Sequence, residues 1–290
     1  MFVIFTDTDT DITPKEAEAF GYHLISMPYT VGDTEIYPYR DKDYVFNPHE
    51  FYESLRKGTM PKTSGLSPEM YKEYFEPFFK EGKDILYVHF SSNMSGTFNA
   101  MQIALNELKE VYPERKFYEV DTKGITIESY NIVMEIGELY QHGKSVEEIL
   151  DWAKQEVDKF AIYFFADDLK FFARSGRVKG FKAFMGNLLG VRPIIYMGED
   201  GMMTSLDTAK GRKNAISKIV GYVEQLQDDI KAHRVVIGHT DAREIAEQVG
   251  ERLKAEFGDD LNIVYVDVNP TAGSHCGPDG VGVCFHAIHR

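Results

Sequence analysis

The segment from Asp84 to Leu105, DILYVHFSSNMSGTFNAMQIAL, limits the possible folds most narrowly. The apolar run Ile85 to Phe90 predicts a buried strand, SSNMSGT a hydroxyl-rich turn, and the spacing of apolar residues from Phe98 onward a helix. A buried strand feeding directly into a helix is the opening of a βαβ crossover, and the rest of the first half repeats the alternation. Strands are expected at Phe2 to Thr6, His23 to Val31 and Lys116 to Val120. Helices are expected at Pro14 to Phe20, Asn47 to Lys57, Ser67 to Phe79, Ile125 to Gln141 and Val146 to Val157, with Ser67 as N-cap and Pro68 at the first helical position.

From Phe160 the pattern changes. Strands are expected at Ala161 to Phe165, Arg192 to Met197, Met202 to Ala209, Arg234 to Gly238, Asn262 to Val268 and Val281 to Ala287. Gly198 to Gly201 reads as a hairpin turn, and helices fall at Arg212 to Gln227 and Ala242 to Glu256. The expected fold is therefore α/β with two domains: a parallel sheet with flanking helices over 1–158 and a mixed α/β unit over 159–290.

A net charge of −14 opposes nucleic-acid binding, because a polyanionic backbone would be repelled. No run reaches the roughly 18 apolar residues of a membrane span, and the start MFVIFTDTD reads as no signal peptide. Two cysteines, Cys276 and Cys284, suit a reducing cytoplasm. With His275 and His286 nearby they raise zinc, but the short Cys-x2-4-Cys spacing of structural sites is missing, so a thiol packed in a strand is favoured and no metal or cofactor is expected.

Ser95, Gly96 and Thr97 fall at the start of the expected helix, where free N–H groups and the dipole attract an anion. No lysine or arginine occurs between Asp84 and Lys109, so this is no Walker-type loop; hydroxyls and amides without a fixed cation suit a carboxylate. The plain alternative is a Ser/Thr helix cap. VIFTDTDT offers a second chemistry, matching a haloacid-dehalogenase-type phosphatase with Asp7 as nucleophile and Asp167-Asp168 as a magnesium site. No basic residue is evidently placed to balance a phosphate there, and the competing reading is an Asp-rich turn in which Asp11 or Thr13 caps the helix from Pro14. A calcium loop on Asp7, Asp9, Asp11 and Glu18 fails at Ile12, where glycine is needed.

The order FTDTDTDITPKEA, KTSGLSP, SSNMSGTFNA, RSGRVKG and GSHCGPDGVGVCF resembles the DegV family of bacterial fatty-acid-binding proteins, which includes the FakB subunits of fatty-acid kinase. Asp7, Thr8 and Asp11 meet that family's Asp-hydroxyl-x-x-Asp opening, which demotes the phosphatase; Gly65-Leu66 and Cys276 depart from the usual pattern. The resemblance implies a long-chain fatty acid held between two domains, its carboxylate on Thr63, Ser64, Ser95 and the Gly96 N–H, with His275 arriving from the second domain. It implies a noncatalytic subunit whose bound carboxylate is phosphorylated by a separate ATP-dependent kinase subunit. A module that only senses lipid would share the pocket but not the kinase.

Between Leu169 and Gly198 there is no Asp or Glu, yet Lys170, Arg174, Arg177, Lys179, Lys182 and Arg192 occur there, interleaved with Phe171, Phe172, Phe181, Phe184 and Met185. This basic island, Arg174 and Arg177 foremost, is expected to dock an acidic kinase surface or touch anionic lipid transiently; the alternative is a solvated face over core aromatics.

Overall fold

The computed structural model describes residues 1–40, 44–167, 169–180 and 190–290. Asp168, Phe181, Lys182, Phe184 and Met185, singled out above, lie outside the described residues.

Four strands form an all-parallel sheet in the order β2-β1-β6-β7: β1 (Phe2–Asp7), β2 (Tyr22–Ile25), β6 (Asp84–His89) and β7 (Phe117–Asp121). Helices α1 (Pro14–Phe20), α2 (Pro48–Arg56), α3 (Pro68–Lys80) and α4 (Thr97–Val111) intervene, as the alternation requires. Thr13 caps α1 in a full capping box: its hydroxyl accepts the Glu16 N–H, and Glu16 reaches back to the Thr13 N–H at 2.9 Å. Phe5 meets Phe75 and Phe78 of α3 edge-on, with centroids 5.4 and 5.2 Å apart.

One expected strand is broken. His23 to Val31 splits into β2 and β3 (Tyr29–Val31), because the Ser26 N–H turns to the Tyr74 hydroxyl and the Met27 N–H to Thr8 Oγ1, at 3.1 and 2.9 Å, and Pro28 has no donor to give. Freed from the parallel sheet, β3 pairs antiparallel with β4 (Thr34–Ile36) and β5 (Lys62–Thr63). That small sheet carries Thr63.

The second half builds a seven-stranded mixed sheet, order β13-β12-β14-β8-β10-β11-β9: β8 (Phe160–Phe165), β9 (Val178–Lys179), β10 (Val191–Met197), β11 (Met203–Lys210), β12 (Val235–His239), β13 (Ile263–Asp267) and β14 (Val281–His286). Alternation along β8 sorts its side chains: Phe160 and Ile162 join the core facing the first half, while Ala161, Tyr163 and Phe165 pack beneath helices Arg212–Leu226 and Arg243–Phe257. The parallel first sheet and the mixed second sheet are the fold class the sequence implied.

Between the sheets lies α5 (Ile127–Gln141), followed by α6 (Val146–Glu156). One side of α5 meets β8, β12 and β14 and another meets α1 and the 3-10 turn Thr8–Thr10, so even Glu128, Ser129 and Asn131 are buried. A single apolar core runs through this layer from Ile4 and Tyr87 to Ile162 and Cys284.

Candidate functional site

A cavity of about 370 Å³ opens between the two halves. Its mouth is polar. β5 delivers Thr63, the following turn Ser64 and Gly65, and the turn before α4 delivers Ser95 and Gly96. The short helix Pro270–Cys276 adds His275 and Cys276. Thr63 Oγ1 lies 2.8 Å from His275 Nε2, closing a contact between residues 212 apart in sequence. Burial, with Arg177 and Arg174 nearby, pushes His275 down to about 3, so its ring is neutral and keeps both an acceptor and a donor.

Gly96 is the N-cap of α4. Ser95 Oγ accepts the Thr97 N–H at 3.2 Å, which leaves the hydroxyl proton to be directed elsewhere. Thr97 itself faces inward: its Oγ1 accepts the Leu66 N–H at 3.0 Å and pairs with the Tyr71 hydroxyl at 2.9 Å, clamping the Gly65-Leu66 turn to the helix start. A Cβ on Gly65 would stand 3.1 Å from the Thr97 backbone, so the small residue lets the two turns meet. Ser64 is exposed at the rim and donates to Glu35 Oε1 at 2.9 Å. The structure thus brings Thr63, Ser64, Ser95, Gly96 and His275 to one cavity mouth, with Thr63 and His275 in direct contact.

Below the mouth the wall is largely apolar, with Asp9, Thr126, Thr240 and Thr271 as further polar lining residues. Met27, Leu66, Phe90, Met94 and Ile127 line it from the first half, Ile162, Phe164, Met197, Met203 and Val281 from the second sheet. Gly238 and Gly282, paired across β12 and β14, also line it. A Cβ on Gly238 would reach 2.5 Å from Ile127 Cγ2, and one on Gly282 2.7 Å from Phe164 Cβ, so the bare strands admit close packing at the wall.

Arg177, expected on a docking surface, is instead half-buried in the cavity lining, where its Nε donates to the Met94 carbonyl at 3.1 Å and its Nη1 to the Ser175 carbonyl at 2.8 Å. Composition alone gave no sign of this. Arg174, in α7 (Leu169–Ser175), is exposed, yet its guanidinium donates to the carbonyls of Pro61 at 2.6 Å and Ser274 at 3.2 Å. It ties together the backbone just before Thr63 and just before His275. His275 occupies a short helix, whose signal was present in Asn269-Pro270, an N-cap followed by proline at the first helical position.

The acidic turn after β1 is structural around Asp7. Asp7 is fully buried, accepting from the Asp9 N–H at 3.0 Å, the Tyr87 hydroxyl at 3.0 Å and the Phe90 N–H at 3.3 Å. Burial outweighs those bonds and raises its carboxyl to about 7. No face of it is open to a phosphoryl group, and the phosphatase reading finds no support. Asp11 accepts both the backbone N–H and the side-chain amide of Asn269, at 2.8 and 2.7 Å, linking the first strand to the last helix. Cys284 packs inside β14, while Cys276 sits in a helix rather than a strand, its thiol pushed by burial to about 12. Among the described residues no group of three or more His, Cys, Asp or Glu is arranged to hold a metal.

Comparison with known proteins follows the same lines. The family model described as "Uncharacterised protein, DegV family" matches residues 1–287. A DegV domain-containing protein of Clostridium perfringens is 31% identical over 285 residues, covering 98% of this chain and 97% of the relative. Two solved structures share the fold across 99% of both chains: a DegV family protein of Thermus thermophilus described for its fatty-acid binding (TM-score 0.85, 21% identity) and DegV of Bacillus subtilis, described as a fatty-acid-binding protein (TM-score 0.83, 23% identity). With matching motifs, a matching fold and a relative alike over its whole length, the chain belongs to the DegV family.

Proposed function

We propose that this chain binds a long-chain fatty acid between its halves, 1–158 and 159–290, and presents the carboxylate to a separate kinase subunit. The observation that carries this reading is the cavity itself: a long apolar wall that ends at hydroxyls, a helix-start amide and a neutral imidazole. The carboxylate accepts from the Ser95 hydroxyl, the Gly96 N–H and Arg177, with Thr63 oriented by His275. Burying ~14 methylenes at ~0.8 kcal/mol each supplies on the order of 11 kcal/mol of gross transfer energy. Head-group hydrogen bonds add ~1.5–3 kcal/mol each, so the tail sets affinity and the head sets register.

The chain acts as the carrier; phosphoryl transfer belongs to the ATP-dependent partner. Among the described residues no helix is long and apolar enough to cross a membrane, which fits a carrier working in the cytoplasm with transient contact at the lipid surface. Exposed Arg174 is the cation of the basic island that we assign to docking the kinase, while Lys179 is paired with Asp200. Mass spectrometry of an organic extract of the purified protein tests the carrier role. One fatty acid per chain is expected; a protein that neither retains nor takes up palmitate refutes it. Acyl phosphate should form from palmitate and ATP only when a fatty-acid kinase catalytic subunit is added.

A further inference from the structure

The head of the cavity holds a carboxyl group that the proposed ligand contacts leave unused. Asp9, in the turn Thr8–Thr10, is 6% exposed and lines the cavity. Its carbonyl accepts the Thr126 N–H at 2.8 Å, which fixes the residue in place, yet among the described residues its Oδ1 has no hydrogen-bond partner. A carboxyl oxygen buried without a partner beside a cavity is unstable as an anion and needs either a proton or a ligand.

The groups around it define its charge. Asp7 and Asp11 face it from its own segment, and Arg177 from the segment after α7. Tyr71 of α3, Tyr87 of β6 and Cys276 of the last helix also lie in its field, and all three are driven towards their neutral forms. His275 on that helix is neutral. Arg177 is therefore the cation that offsets Asp9 among these groups. With Asp9 ionised, Arg177 offsets one carboxylate only; a docking carboxylate then adds a further uncompensated negative charge beside Asp7 and Asp11 in a buried site. Two carboxylates sharing a site do not both ionise, and a proton taken up by one removes the excess.

We propose that Asp9 is the proton-accepting partner of the ligand carboxylate, binding one proton from solvent as an ionised fatty acid docks beside Arg177. This rests on the fatty-acid reading of the cavity. Protonated, Asp9 also gains a hydroxyl with which to donate a hydrogen bond to the ligand. Burial and the flanking acids already lift its pKa well above that of an ordinary aspartate, so uptake is largest above that raised pKa, where the empty site is ionised. The acid's affinity thereby becomes linked to pH, whereas that of an isosteric alcohol, which brings no charge, does not.

The test is palmitate binding between pH 6.5 and 9, beside hexadecanol, with protons counted by calorimetry in buffers of different ionisation heat. Expected for palmitate is a Kd that rises with pH, approaching tenfold per unit, with uptake approaching one proton where the slope is steepest. Hexadecanol should bind without slope or uptake. Asp9→Asn should flatten the palmitate slope, whereas Asp7 and Asp11, each raised to about 7, remain in that variant. Palmitate binding that is independent of pH and takes up no proton overturns the proposal, as does an unchanged slope in Asp9→Asn. Should the variant fail to fold, the wild-type proton count for acid against alcohol still decides. Absence of any palmitate binding is a different outcome: it overturns the carrier reading, and this proposal with it.

Discussion

Replacing Ser95 by alanine separates the affinity that comes from the head group from that of the tail. Ser95 Oγ accepts the Thr97 N–H, which leaves its own proton for the ligand carboxylate in the proposed complex. Losing one donor to a charged acceptor costs ~1.5–3 kcal/mol, a rise in Kd of about 10- to 150-fold. That loss equals the transfer energy of about two to four methylenes at ~0.8 kcal/mol each. Ser95→Ala should therefore bind a 16-carbon acid about as well as the wild type binds one of roughly 12 to 14 carbons. The Thr97 N–H also loses its acceptor; a lost cap of ~1 kcal/mol lowers Tm by about 2–4 °C. Phosphorylation by the partner should fall further than affinity does, since a tilted carboxylate loses its attack geometry. The assay is displacement of a fluorescent fatty acid across chain lengths, beside thermal melts and acyl-phosphate formation. A Kd within threefold of wild type, with wild-type phosphorylation, would refute the head-group assignment.

Asp7→Asn should keep palmitate binding and produce no change in phosphate release, because Asp7 serves Tyr87, Phe90 and the Asp9 N–H; a phosphatase turnover abolished by this substitution is the contrary result. Unfolded Asp7 and Asp11 ionise near 3.8 but near 7 in the fold, so the stability they contribute is complete below 3.8 and lost as pH rises to about 7. Urea midpoints should fall less steeply across that window in Asp7→Asn. His275 has the opposite sign: folded at about 3 against 6.5, it contributes fully above 6.5 and loses its contribution as pH falls towards 3, a limb that His275→Gln should flatten. Gly201→Ala should lower Tm by about 2–8 °C for ~1–2 kcal/mol of left-handed strain, since Gly201 has φ +68° and its added Cβ would press on Ser91 Oγ. Arg174→Glu should slow kinase association at low salt; because Arg174 also holds the Pro61 and Ser274 carbonyls, its effect on palmitate Kd must be measured alongside, and an unchanged association rate removes it from the docking surface.

Much of the fold was legible because its signals are local. α1 begins and ends where the Thr13-Pro14 cap and Gly21 place it, and β14, β10 and the Gly198 to Gly201 turn follow from alternation and glycine spacing. Sequence reasoning failed where tertiary hydrogen bonds override propensity. The break at Ser26 to Pro28 depends on Tyr74 and Thr8, which no window around His23 contains. In the cavity lining, Ser95 was readable from turn chemistry and Thr63 from the family motif alone. Arg177 was not, because a cation in a basic run looks the same whether it faces solvent or a cavity. Its position is set by the Met94 carbonyl, 83 residues away.

The contacts that close the cavity join the two ends of the chain: Asp11 holds Asn269, Thr63 meets His275, and Tyr52 donates to the Val268 carbonyl at 2.8 Å. On a ribosome these partners are born far apart in time. The parallel sheet is complete at Asp121, but the last wall of the cavity emerges about 150 residues later, a wait of about 8–30 s at ordinary elongation rates. Until β14 is made, the apolar side of α5 that packs on it stands open to water. A nascent chain of this protein is thus a transient client for holding chaperones, and pausing translation before Asn269 should leave it unable to retain a ligand even though its first sheet has formed.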